Sequence, residues 1–256
     1  MIIKTSSGSG SGSYIVSNIT IDDMNSSCNW EVTEINYDWC SGSGTHEDPY
    51  IIENVLITGE SGLTQSVSIK NSIGKYFIFR NCTVNAIDGY GMWIQNSSLG
   101  SFENCWFNSS QKGAIVRYSD NIAFRNCNIS KQGQNVGIGM DNSNNTIIDG
   151  CLFSDAILDM EYIVNITVRN LEFNVKGFSI RNSDYITFLD SVSYNFYSWS
   201  NGFVECNYII FDNITIVGSF EENNIWVGFF ECTLSLIHIS EPTRLLSISY
   251  AVFCLK

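Results

Sequence analysis

The chain has 256 residues, 44% of them hydrophobic and 13% aromatic, but only 15% charged, with two prolines. This is enough apolar material to bury a core, which excludes a chain disordered by composition, and the length suits one large or two ordinary domains. A net charge of −13 argues against a nucleic-acid partner, whose affinity comes mainly from basic patches, and no apolar run reaches the roughly 18 residues of a membrane span.

The chain opens on MIIKTSSGSGSGSY, which lacks the apolar core of a signal peptide. Residues 1–13 read as a Gly/Ser-rich disordered end. Residues 14–49, which carry Trp30 and Trp39, are expected to form an N-terminal cap and entry segment that shields the first strand edge. Cys28 and Cys40 fall outside any periodic pattern, and a Cys28–Cys40 disulfide is one expectation for them. His46, in GTHEDP, reads as a turn residue.

From residue 50 onward the chain repeats itself. IFRNCTV at Ile78 to Val84 returns as AFRNCNI at Ala123 to Ile129. Aligned on the cysteine, one column reads Val55, Cys82, Cys105, Cys127, Cys151, Leu171, Ser191 and Ile214, about 22 residues apart. Such a period marks stacked units. One residue earlier stand Asn54, Asn81, Asn104, Asn126, Gly150, Asn170, Asp190 and Asn213, types that tolerate a left-handed backbone at a sharp bend. Three residues before the cysteine column come Phe79, Phe102, Phe124, Ile148, Val168, Phe188 and Phe211. A second anchor, eight to ten residues upstream, reads Ser72, Ser97, Ser119, Ser143, Ile163, Ser183 and Cys206, with Cys232 as the next rung. Before each anchor, apolar and polar residues alternate, which marks half-buried strands. The expectation is an all-β parallel β-helix (a solenoid) over residues 50–233, with about 7–8 coils of roughly 22 residues and three short strands per coil. Right-handed coiling is the usual hand of parallel crossovers.

Stacking assigns jobs to residues that look functional in isolation. Two before the cysteine column run Glu53, Arg80, Glu103, Arg125, Asp149 and Arg169, alternating in sign as parallel neighbours should. The cysteines read first as buried thiols. A disulfide between coils is strained by parallel Cβ vectors, and a straight column does not converge on a tetrahedral metal. N-x-S/T sequons are frequent. Asn108 and Asn144, expected in or near loops, are the better glycan acceptors, whereas Asn81 and Asn213 belong to the bends.

Two places remain for a site. Asp141, Asp159 and Glu161 lie on the outer face of the first strand of each coil, with Arg117 and Arg181 one coil to either side. Paired carboxylates near arginine suit a cation such as Ca²⁺ or acid/base chemistry, but they also suit a plain charge ladder. They are weak catalytic candidates, and no catalytic residue stands out. The other place is SYNFYSWSNG, residues 193–202, where Tyr194, Phe196, Tyr197 and Trp199 crowd one connection. Clustered aromatics stack on sugars or fold back on the core.

The last segment, LSLIHISEPTRLLSISYAVFCLK at residues 234–256, resembles the translation of sequencing-library adapter DNA. On that reading it is an artefact and not native, and His238 and Cys254 leave the list of candidates.

Through the columns and the lead-in GSGTHEDPYIIENVLITG, residues 42–59, the chain resembles the right-handed parallel β-helix (pectate-lyase-like) superfamily, including NosD-like surface proteins with such repeats. The superfamily hosts lyases, hydrolases, adhesins and non-enzymes, so fold alone does not give function. The resemblance implies an extracellular or cell-surface module, monomeric, structural or binding carbohydrate or cell envelope, with no cofactor unless Ca²⁺. Its alternatives are a polysaccharide lyase or glycoside hydrolase on the outer strand face, and a NosD-like accessory protein. The balance leans away from an enzyme.

Overall fold

A computed structural model describes residues 14–131, 136–174, 177–194, 202–217 and 228–239. Each coil contributes one strand to a nine-stranded sheet and the next two to a seventeen-stranded sheet. Tyr90–Gln95 is followed by Gly100–Glu103 and Trp106–Ser109, and the next coil repeats this with Ala114–Arg117, Ala123–Arg125 and Asn128–Lys131. Two later coils fuse their second and third strands into Asp184–Tyr194 and Asn207–Val217. The coils are stacked in parallel, as expected of a right-handed β-helix, and seven are complete among the described residues.

The bends explain how so short a unit closes. Three columns per coil sit in the left-handed region. One holds Asn54, Asn81, Asn104 and Asn126, at φ of 57°, 53°, 52° and 52°. The other two lie three residues apart at one corner, as in Tyr118 and Asn121 or Asn142 and Asn145. Side-chain amides tie neighbouring bends together: Asn96 Nδ2 donates to Asn71 Oδ1 at 2.8 Å, and Asn165 Nδ2 to Asn145 Oδ1 at 2.8 Å. Asparagine suits a left-handed bend because its short polar side chain bonds locally.

The interior is built in columns. Phe79, Phe102, Phe124, Ile148, Val168, Phe188 and Phe211 pair coil to coil in register and are at most 1% exposed. Phe102 and Phe124 stack with centroids 4.9 Å apart. Burying each such ring contributes about 1.5–3 kcal/mol. The serine anchors are buried too, and they are satisfied through the backbone. Ser119 Oγ donates to Arg117 O at 2.7 Å and accepts from Ser97 N at 3.1 Å. Cys82, Cys105, Cys127 and Cys151 are 1–2% exposed, each with its thiol on the carbonyl two residues back. Sharing its hydrogen bond with Cys127 pushes the Cys105 thiol up to about 12.

At the N-terminal end, Tyr14–Val16 and Ile19–Asp22 pair in parallel with the first coil, so this segment adds a partial coil as well as a cap. Helix α1, Trp30–Asn36, closes the end. Asn29 caps it by accepting from Val32 N at 2.9 Å. Trp30 is fully buried, stacked 4.9 Å from Tyr50, and its Nε1 donates to Ser72 Oγ at 2.8 Å. The expected Cys28–Cys40 disulfide is not formed, and both are free cysteines. Cys28 is held in the turn before α1 by backbone bonds to Asp22 and Asn25. Cys40 is buried after the helix, in a strand antiparallel to Tyr50–Glu53. The helix separates the two, and burial pushes the Cys40 thiol up to about 12.

At the other end, Thr233–Ile239 pairs with Asn207–Val217 through three register shifts, in contrast to the unbroken pairing of that strand with Asp184–Tyr194. Residues 240–256 lie outside the described residues.

Candidate functional site

The outer face of the nine-stranded sheet gathers the charged candidates. Arg117, Asp141, Glu161 and Arg181 are direct partners in four successive coils. Two residues back along each strand, a second outward column reads Ser68, Trp93, Ile115, Gly139, Asp159 and Ser179. Alternation along each strand sends Val116, Met140, Met160 and Ile180 into the core, so their neighbours must point outward. The two columns therefore form one strip whose rungs follow the coil spacing, about 4.8 Å.

Arg181 lies between two carboxylates. Its Nη2 is 3.1 Å from Asp159 Oδ1 and 3.5 Å from Glu161 Oε2, while Nη1 donates to Ser179 Oγ at 2.9 Å. Asn182 Nδ2 donates to Glu161 Oε1 at 3.3 Å. Asp159 Oδ1 is shut off from solvent, and apart from the ion pair it accepts no hydrogen bond. Asp141 takes Nδ2 of Asn142 at 2.6 Å and faces Arg117 Nε at 3.9 Å. The structure thus brings all five predicted residues onto one face, in an order that does not alternate in sign. The position between Asp159 and Glu161, where a cation would sit, is taken by a guanidinium. Among the described residues, no three His, Cys, Asp or Glu side chains converge as metal ligands would.

The strip also carries aromatic residues that the sequence reading missed. Trp93 is half-buried on the outer face, stacked against Tyr90 with centroids 5.6 Å apart. Its Nε1 donates to Gln95 Oε1 at 3.1 Å, and the Arg117 guanidinium lies 5.1 Å over its ring, a cation–π distance. Next to it, Ile115 is only 4% exposed although it points outward. Its Cδ1 fills the notch at Gly139, where an added Cβ would meet it at 2.9 Å. Along the adjoining corner, Tyr118, Tyr162, Tyr185 and Tyr208 are 52–58% exposed at left-handed bends, and Tyr185 stacks on Tyr208 at 4.7 Å. The signal was present. Trp93 sits at an outward position of YGMWIQ, and a tyrosine at a bend position has its ring in solvent.

Other predicted residues land elsewhere. Tyr194 ends the strand Asp184–Tyr194 and is 37% exposed. Phe196, Tyr197 and Trp199 lie outside the described residues. Asn108 is not in a loop. It lies within the strand Trp106–Ser109, and its Nδ2 donates to Asn85 Oδ1 at 3.4 Å. Asn144 is in the turn before Thr146–Asp149, where its Oδ1 accepts from Val164 N at 3.1 Å. Both are half-buried and engaged between coils. Among the described residues, no helix is long and apolar enough to cross a membrane.

The stacked coils match the family described as "Right handed beta helix region" over residues 55–203, more than half of the chain. The chain belongs to that family. Its fold is similar to that of an alginate lyase from Paenibacillus sp. (16% identity, 67% of this chain and 71% of that one, TM-score 0.45). It is also similar to the A-module of the mannuronan C-5 epimerase AlgE6 of Azotobacter vinelandii (14% identity, 75% and 65%, TM-score 0.49). A third likeness is to tailspike protein 2 of the Escherichia coli O157:H7 bacteriophage CAB120 (17% identity, 72% and 29%, TM-score 0.43). The chain therefore spans less than two thirds of the epimerase module and under a third of the tailspike. No curated protein sequence matches it.

Proposed function

We propose that this chain is a non-catalytic, extracellular or cell-surface module that binds a polysaccharide along the outer face of its nine-stranded sheet. The observation that carries the reading is the strip itself. An aromatic wall at Trp93 is followed by Arg117, Asp141, Asp159, Glu161 and Arg181 at the spacing of the coils. Aromatic faces stack on sugar rings, and forked guanidinium and carboxylate groups hydrogen-bond hydroxyls and charged substituents. An extended glycan presents such groups in a regular row.

The same geometry weighs against catalysis. Acid/base work on a glycoside uses two carboxyl groups whose surroundings drive their protonation apart. Here one guanidinium bridges Asp159 and Glu161, and Asp141 is engaged by Asn142.

A glycan array combined with a turnover screen tests the reading. Wild type should retain acidic or neutral polysaccharides without releasing products. Trp93→Ala should weaken retention by about tenfold, the cost of one aromatic anchor of roughly 1.4 kcal/mol. Product release that disappears in an Asp141→Asn/Glu161→Gln double variant would replace this reading with a lyase or hydrolase.

A further inference from the structure

Trp106 is the one exposed tryptophan among the described residues, and it lies away from the strip, on the outer face of the seventeen-stranded sheet. Alternation along Trp106–Ser109 sends Phe107 and Ser109 into the core and Trp106 and Asn108 outward. Trp106 pairs in register with Thr83 on one coil and Asn128 on the next, and Asn108 pairs with Asn85 and Ser130. The indole is fixed in place. Its Nε1 donates to Ser130 Oγ at 2.8 Å, one coil on and two residues along. A serine oxygen stands only one bond beyond its Cβ, close to the sheet. An indole whose N–H reaches it must lie across the sheet rather than stand up from it. One face of the ring is then turned to the protein and the other to solvent, in keeping with its exposure of 47%.

Two local penalties that the fold does not need coincide here. A large apolar ring is left in water, and beside it Asn128 Oδ1 is shut off from solvent without a hydrogen bond. Nearby coils hold the same column with Thr83 and Leu152 and carry neither penalty. Departures of this kind from local consistency gather at functional surfaces.

We propose that Trp106 is the floor of a second glycan site, separate from the strip, for an uncharged pyranose. The face of the indole is negative and attracts the C–H edges on the flat side of a sugar ring. Around it Thr83, Asn85, Asn108, Asn128 and Ser130 supply amides and hydroxyls, which donate to and accept from sugar hydroxyls. None of them is charged. The first charge in the Trp106 column is Glu172, three coils on, and its negative sign disfavours a uronate or a sulfated sugar. The size of the platform selects the occupant as well. A whole tryptophan buries at most about 250 Å², far short of the roughly 800 Å² that each partner of a stable protein complex covers. One sugar ring matches one indole face. The strip differs in chemistry, since there Trp93 lies under the Arg117 guanidinium. Ser130 acts as a positioning residue, holding the ring by its N–H.

The probes are cellohexaose and mannohexaose, with hexagalacturonate as the charged control, titrated into the folded full-length chain while its indole N–H resonances are followed. The Trp106 signal, assigned by its loss in Trp106→Phe, should shift and saturate with a neutral hexasaccharide, and should do so equally in a Trp93→Ala background. Hexagalacturonate should leave it in place. By calorimetry in that background, Trp106→Ala should weaken neutral binding about tenfold or more. Ser130→Ala, which keeps the ring but frees it, should weaken binding about threefold. Circular dichroism checks that each variant folds, and Trp106→Tyr, which keeps an aromatic face, should bind better than Trp106→Ala. A folded wild type whose Trp106 signal neither neutral probe moves would overturn the proposal, as would an equal shift with hexagalacturonate. Either result leaves the strip standing, because binding there is read at Trp93.

Discussion

On the seventeen-stranded sheet, Glu53, Arg80, Glu103, Arg125, Asp149 and Arg169 pair coil to coil in strict alternation of sign. On the nine-stranded sheet, Arg117, Asp141, Glu161 and Arg181 share the same period but place two carboxylates in succession. In the first column every neighbour is a counter-ion, as in Arg80 to Glu53 at 3.0 Å and Arg169 to Asp149 at 2.7 Å. A coil slipped by one unit would set like charges together, so this column specifies register. In the second, Arg181 must serve Asp159 and Glu161 at once, and an aromatic wall stands beside the charges. Alternation marks scaffold here, and its failure at Asp141 and Glu161 is the feature on which the proposed binding surface rests.

Removing the shared cation should separate the two most strongly. Arg181→Met strands Asp159 and Glu161 together, and we expect a loss of about 1–2 kcal/mol in urea unfolding. That is less than a fully buried pair would lose, because Arg181 is 37% exposed and screened. Polysaccharide retention should fall with it, whereas a stability loss with unchanged retention would make the strip a second structural ladder.

Reversing one rung of the alternating column comes next. Arg125→Glu puts Glu103, residue 125 and Asp149 in a row of like charge, at about 0.2–1 kcal/mol for each like pair. Retention should not change, and a loss of retention would break the division between scaffold and site. Arg80→Ala, which removes a single pair about two-fifths exposed, should cost less than about 1 kcal/mol by the same measurement.

The smallest effect is a pH dependence confined to the scaffold. The Arg169 side chain holds the Asp149 carboxyl below the usual aspartate value of 3.8. A folded-state value below the unfolded one stabilises above the unfolded value, and that contribution is lost as pH falls through the folded one. The melting temperature of Asp149→Asn should therefore lie below wild type at pH 7 and converge on it as the pH drops below about 4. A gap that persists at pH 2 would assign the effect to packing instead.

The fold was legible because a solenoid writes each contact into the sequence at one fixed separation. The columns at Phe79, Cys82, Arg80 and Ser97 each recur one coil later, and the structure stacks them in register. The candidate site was legible in part. Asp141, Asp159 and Glu161 could be placed on one outer face because strand alternation assigns the direction of every side chain. Trp93 was overlooked because one outward tryptophan in a period-two strand has no repeat partner to announce it. Asn108, expected in or near a loop, lies one residue from the end of the strand Trp106–Ser109, and a strand four residues long carries little signal of its own edges.

By itself, the sequence determined the parallel β-helix, the inward columns, the bends and the alternating charges, since each is a local property repeated about every 22 residues. Only the tertiary structure decided that Arg181 bridges Asp159 and Glu161, that Ile115 fills the notch at Gly139, and that Arg117 lies over Trp93. The same holds for the free state of Cys28 and Cys40. These depend on which rotamers meet across neighbouring coils and on what packs between two segments, and no separation along the chain encodes either.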